Sequence, residues 1–133
     1  MIPGLNDDGY LPLGVHSGTL DEIAARFGAQ SELRAAEMDS VRWMVGLAIR
    51  AGVTRIVLNG SFVTDKIEPN DVDCVLLIGP GFPQDTAAEK ELLAGLPFME
   101  MKLVEAAEFD EFVNDVFASD RDAVPKGVVE VLW

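Results

Sequence analysis

The hydrophobic pattern changes period along the chain, and each change marks an element. Between Leu33 and Ile49, apolar residues recur at positions 33, 41, 44, 45, 48 and 49, the spacing of one helix face. Ser31 supplies an N-cap signal ahead of this stretch, and Gly52 is placed to end it at Ala51 in a left-handed conformation. A shorter helix is expected just upstream, where Thr19-Leu-Asp-Glu22 forms a capping box and Phe27-Gly28 a stop. Beyond Gly52 the period falls to two. Thr54–Leu58 is β-branched and reads as a strand, as does Asp71–Ile78. Alternation in the second strand puts Asp71, Asp73 and Val75 on one face and Val72, Cys74 and Leu76 on the other. Thr86-Ala-Ala-Glu89 is a further capping box, opening a helix that stops before Gly95. Phe98–Val104 predicts a third strand. Ala107–Phe117 predicts an amphipathic helix, with Phe109, Phe112, Val113 and Val116 or Phe117 on its apolar face. The tail from Gly127 to Trp133 has strand composition. Residues 1–18 are broken by Pro3, Gly4, Gly9, Pro12, Gly14 and Gly18, and read as an extended N-terminal arm.

The predicted order is αα-β-β-α-β-α-β, which points to an α+β fold: a single mixed sheet with helices mainly on one face. A chain of 133 residues is expected to form one domain, spanning 1–133, with enough buried surface to need no staples.

Charge narrows the function. Acids outnumber bases 23 to 10, and the net charge is -13. Phosphate backbones are gripped by Lys and Arg, so broad nucleic-acid binding is not expected. A single nucleotide escorted by divalent metal stays compatible, because a metal ion favours an acidic pocket. Cys74 is the only cysteine, which excludes an internal disulfide framework and suggests a reducing compartment. The start, MIPGLNDDGY, has no basic region and no apolar core, so no signal peptide is expected. The longest apolar run, Val75–Ile78, is too short to cross a bilayer. These points give a soluble, cytoplasmic protein, with no membrane partner, as the expectation.

Candidate chemistry concentrates in LNGSFVTDKIEPNDVDCVLLI, residues 58–78. Asp71 and Asp73 lie two apart on a predicted strand, with Cβ atoms about 6–7 Å apart. Two carboxylates that close repel, which raises one pKa unless a cation neutralises them. Mg²⁺ takes oxygen ligands and is commonly held by one or two carboxylates plus substrate phosphates. Gly60 lets the backbone approach a phosphate, Ser61 offers a hydroxyl and an N–H, and Lys66 lies in the same loop to screen negative charge.

Gly60-Ser61, a spacer, and Asp71-Val72-Asp73 together resemble the signature of the DNA polymerase β-like nucleotidyltransferase superfamily. NGSFVTDKIEPNDVDCVLL, LPLGVHSGTLDEIAARF and RDAVPKGVVEV resemble small prokaryotic members with no assigned role, so the likeness covers nearly the whole chain. The resemblance implies a palm-like domain in which Gly60 and Ser61 contact the triphosphate. Asp71 and Asp73 would hold Mg²⁺ (or Mn²⁺), and ATP or another NTP would donate a nucleoside monophosphate to an acceptor hydroxyl or phosphate. The position matching the superfamily's third acid is Glu100, where the usual residue is Asp. Met99, Met101 and Leu103 alternate against Glu100 and Lys102, so the charged pair shares one strand face. Small relatives of this kind often act on a protein or RNA, sometimes in toxin–antitoxin or defence pairs, so a protein partner is compatible.

Plainer readings stand beside these. Asp71 and Asp73 also suit a solvated acidic strand start, and Asn59-Gly60 also suits an ordinary turn. Lys102 beside Glu100 suits a salt bridge that would remove Glu100 from the site. Lys66 reads as a solvated lysine and His16 as a structural or surface residue. Cys74 reads as a buried core thiol, and Trp43 and the helical methionines read as core. The alternative function is a catalytically silent module that keeps the fold and serves as a binding or regulatory subunit.

Overall fold

The β-branched runs pair with one another, and the helices cover the faces they create. The computed structural model describes residues 1–116 and 118–133. Five strands form one open sheet: β1 (Val15–Thr19), β2 (Arg55–Asn59), β3 (Val72–Leu77), β4 (Met99–Val104) and β5 (Val128–Leu132). Their spatial order is β1-β5-β2-β3-β4. β1 runs parallel to β5 and β3 parallel to β4, while β2 is antiparallel to both β5 and β3. The sheet is therefore mixed and the architecture α+β, with four helices: α1 (Leu20–Phe27), α2 (Glu32–Ala51), α3 (Thr86–Ala94) and α4 (Ala106–Glu111).

One sheet face carries Ile56, Leu58, Val72, Cys74, Leu76, Val129 and Val131, all buried against α1, α2 and α3 in the main core. Met38, Val41, Met44, Val45 and Ala48 form the stripe that α2 lays on it. Each such side chain, fully buried, is worth roughly 1.5–3 kcal/mol. The opposite face carries Val57, Val75, Val104 and Val128, and α4 covers it with Phe109, followed by Val113. That face is only partly sheltered, which leaves room at one end of the sheet for polar chemistry. The expected placement of Phe109 and Val113 holds, while the side chains of Val116 and Phe117 lie outside the described residues. Instead of continuing as an α-helix, the chain makes a π-helical turn over Phe112–Val116.

Several expectations need correction. The end of the N-terminal arm is a true edge strand, because Val15–Thr19 finds a parallel partner in β5. Thr19 does cap α1 with Glu22 as a reciprocal box, and Ser31 caps α2. The cap of α3 is Asp85, not Thr86: its carboxylate accepts from the N–H groups of Ala87 and Ala88, both at 3.0 Å. Those bonds hold the Asp85 pKa below its ordinary value. Trp43 is 50% exposed rather than core. Two residues beyond Val41, it points about 200° away from the buried stripe. β3 begins at Val72, one residue later than expected, so Asp71 stands exposed just ahead of the strand. Among the described residues, no helix is long and apolar enough to cross a membrane.

Candidate active site around the Gly60 turn

The register of three strands fixes the site. Asn59, the last residue of β2, lies opposite Asp73 of β3, and Asp73 lies opposite Glu100 of β4. The C-terminal end of β2 and the N-terminal ends of β3 and β4 thus meet on the face that α4 leaves open. Gly60 follows with φ 77° and ψ −163°, a backbone region essentially reserved for glycine. The turn presses its Cα against Asp73, so that a Cβ here would fall on the Asp73 carboxylate. Gly60 and Asp73, separate signals in the sequence, are one piece of geometry in the fold.

The chain leaves Gly60 in a 3₁₀ turn, Ser61–Val63, closed by the Thr64 hydroxyl donating to the Ser61 carbonyl at 2.7 Å. From the helix side, Arg34 of α2 holds this loop. Arg34 is 2% exposed, and its guanidinium donates to the carbonyls of Phe27, Ser61, Phe62, Thr64 and Lys66. One helical turn on, Glu37 is fully buried, and neither carboxylate oxygen has a hydrogen-bond partner among the described residues. Burial raises the Glu37 pKa, Arg34 opposes that shift, and Asp71 adds to it. Arg34 and Glu37 precede Val41 by seven and four residues, so they extend its buried stripe. A charged pair on an apolar helical stripe was the sequence signal for them.

Asp73 is half-buried, with a raised pKa. Burial is the main cause, and the charges of Glu100 and Asp71 add to it, while Lys126 and Lys102 work against it. Glu100 is exposed but shares this face, as its alternation with Met99 and Met101 implied. The anticipated lock between Glu100 and Lys102 is not among the ion pairs of the described residues; the Lys102 ammonium instead sits 5.7 Å from the Phe112 ring centroid. Asp73 and Glu100 also line a shallow cavity of about 300 Å³. Asp71 lines neither this cavity nor the larger one beside it.

The larger cavity, about 630 Å³, lies over the Gly60 turn. Its walls include Gly60, Ser61, Lys66 and Asp73, four of the residues singled out in the sequence. Thr64 and Asp65 of the same loop add to the wall, and the rest of it comes from segments near both ends of the chain. Tyr10 of the arm donates from its hydroxyl to Asp120 at 2.6 Å, closing a span of 110 residues. Asp120 also accepts from the N–H groups of Asp122 and Val124, which shapes the loop that leads through Lys126 into β5. Nothing in the sequence joined Tyr10, Asp120 or Lys126 to the Gly-Ser turn. The parallel β1–β5 pair brings their segments there.

A family model matches residues 3–132, nearly the whole chain, and is described as a family of unknown function (DUF6932). The chain belongs to this family. No significant match was found among curated proteins or among solved structures. For this DUF6932 member the site must therefore be read from its own residues. Cys74 is buried on the helix-covered face with its thiol pKa pushed up by burial, so it is a core residue and not a nucleophile. His16 is tied to the Pro12 carbonyl at 2.6 Å, away from the acids.

The donor set suits a hard cation, since every candidate ligand is a carboxylate oxygen. Among the described residues, no three acidic, His or Cys side chains stand together as a ready metal group. Asp73 and Glu100 form the close pair, with Asp71 coupled to Asp73 by charge alone. Two carboxylates with phosphate oxygens as further ligands fit Mg²⁺, which seldom relies on an all-protein cage.

Proposed function

We propose that the domain is a minimal metal-dependent nucleotidyltransferase with a polymerase β-like palm, moving a nucleoside monophosphate from ATP or another NTP to an acceptor. One observation carries the reading: the Gly60 turn is packed on the Asp73 carboxylate at the mouth of a cavity of nucleotide-binding size. In this reading Gly60 and Ser61 contact the phosphates through backbone and hydroxyl, and Lys66 adds positive charge. Asp73 and Glu100 hold Mg²⁺ or Mn²⁺, with Asp71 at the rim as a further carboxylate. The metal ion, when bound, supplies charge neutralisation and polarisation at the reacting phosphorus. The residues themselves orient the triphosphate and fix the acids, work done by Arg34 gripping the loop from beneath. A protein or RNA acceptor, as in toxin–antitoxin or defence pairs, is compatible with a single domain of this size.

Calorimetric titration of ATP with Mg²⁺ into the wild type and into Asp71→Ala/Asp73→Ala tests the reading. Metal-dependent binding lost in the double variant is the expected result. Absence of binding to the wild type by any NTP would sink the proposal. A second reading, a binding or regulatory module without catalysis, is favoured by the position of Asp71 outside both cavities. That module would bind nucleotide yet release no pyrophosphate with any acceptor.

A further inference from the structure

Six of the ten Lys and Arg side chains of this acidic protein are engaged. Arg26 donates to the carbonyls of Ile2 and Pro3, and Arg34 to the loop carbonyls. Arg42 pairs with Asp21, Arg50 with Asp85 and Arg55 with Glu130, while Lys102 faces the Phe112 ring. Among the described residues, Lys66, Lys90, Arg121 and Lys126 carry no side-chain hydrogen bond, ion pair or ring contact. All of these except Lys90 line the same cavity, the one over the Gly60 turn. Asp8, Asp65, Asp73 and Asp120 line this cavity too, yet none of them forms an ion pair with the three cations among the described residues, which leaves the cations available to an anionic ligand.

Lys126 is the key member. It is only partly exposed, and it feels the charges of Asp73 and Asp120 without an ion pair to either. Asp120 is already occupied by the Tyr10 hydroxyl and two backbone N–H groups. Burial costs the Lys126 ammonium solvation that no hydrogen bond replaces, and the charges of Asp73 and Asp120 offset only part of that cost. Gly60, Ser61 and Asp73 line the same cavity.

We infer that Lys126, with Lys66 and Arg121, forms a polyphosphate subsite that holds the β- and γ-phosphates of the nucleotide. The inference rests on the nucleotidyltransferase reading for the nucleotide, while the subsite itself is these three cations, which share the cavity with four carboxylates. Its ligand is an oligophosphate, and a single phosphate ester engages too few of the three cations to bind well. The subsite also favours charge on the pyrophosphate that leaves as the Pα–O bond to the β-phosphate breaks and the acceptor oxygen–Pα bond forms, the acceptor's proton passing to solvent.

The test uses the full chain with sodium tripolyphosphate, ATP and AMP as probes, followed by calorimetry. Tripolyphosphate is expected to bind, AMP at least tenfold more weakly. Lys126→Met is expected to weaken tripolyphosphate by about tenfold or more, the usual effect of losing a charged hydrogen-bond donor. Lys126→Arg should retain most of the affinity, and Lys90→Met should bind as the wild type does. Equal affinity of wild type and Lys126→Met for tripolyphosphate, or equal loss in Lys90→Met, would overturn the subsite. AMP binding as tightly as tripolyphosphate would also overturn it, and would favour a monophosphate acceptor site instead. Tripolyphosphate binding that depends on Lys126, with no gain for ATP on adding Mg²⁺, would support the subsite and count against nucleotidyl transfer.

Discussion

Two cations flank the Gly60 turn, and they are placed in opposite ways. Arg34 comes from beneath, on α2, buried, with its donors spent on four loop carbonyls and that of Phe27 at the end of α1. Lys126 comes from above, at the entry to β5, partly exposed, its ammonium without a hydrogen bond or ion pair among the described residues. The first is consistent with architecture, since a buried charge persists only when its hydrogen bonds are made. The second is consistent with recognition, since an available cation in a cavity is useful only to a ligand. Their separation is what lets the turn be rigid on one side and receptive on the other.

The largest effect should come from breaking the buried member of this pair. Arg34→Met would leave loop carbonyls without donors and Glu37 as a lone buried carboxyl, a loss expected at about 3–5 kcal/mol. Urea denaturation measures it, and a loss below about 1 kcal/mol would show that the loop does not depend on Arg34. Next comes Gly60→Ala. Its Cβ meets the Asp73 carboxylate and its backbone angles suit only glycine, so roughly 1–3 kcal/mol of stability should disappear. The same variant should lose Mg²⁺-dependent ATP binding, and retention of both properties would mean the turn relaxes at little cost.

A smaller, pH-dependent effect tests Glu37. Burial raises its folded pKa above the ordinary carboxyl value of 4.5, so the folded protein holds that proton more tightly than the unfolded chain. The stability it contributes is fully present below that ordinary value and is lost as pH rises through the raised folded value. Glu37→Gln should remove this part of the decline, so unfolding curves across that range should be flatter for the variant. Identical pH profiles would place an ionised, paired Glu37 in the fold. The smallest effect on stability belongs to Lys126→Met, at less than about 1 kcal/mol by thermal or urea unfolding, because no bond is broken. A loss as large as that of Arg34→Met would erase the contrast and make Lys126 structural.

Much of the site was legible in the chain. Gly60 and Ser61 were readable from residue type directly after a strand and Glu100 from the likeness to nucleotidyltransferases, while the faces of Asp73 and Glu100 followed from strand alternation, which is strictly local. Asp71 was misplaced by one residue of strand boundary: β3 starts at Val72, and Asp71 lies outside the cavities that Asp73 lines. Strand ends are decided by which N–H finds a partner, here Val72 bonding to the Phe98 carbonyl, and that partner lies 26 residues downstream. Thr86 lost its cap to Asp85 for a comparable reason, since either side chain satisfies the local pattern. Arg34 and Glu37 were hidden because charged residues on an α2 stripe look solvated until a loop is laid over them.

The sequence by itself determined the α+β composition, the faces of β3 and β4, the left-handed Gly52 that ends α2, and the overall acidity. These follow from periods of 3.6 and 2 and from backbone sterics, all set within a few residues. Only the tertiary structure decided that β1 and β5 pair, because nothing local links Val15 to Val128. That pairing carries Tyr10, Asp120 and Lys126 to the Gly60 turn and turns an acidic strand end into a cavity lined by cations as well as acids. Charge in a sequence is a sum, but a binding site needs charges at one place, and only long-range packing supplies the place.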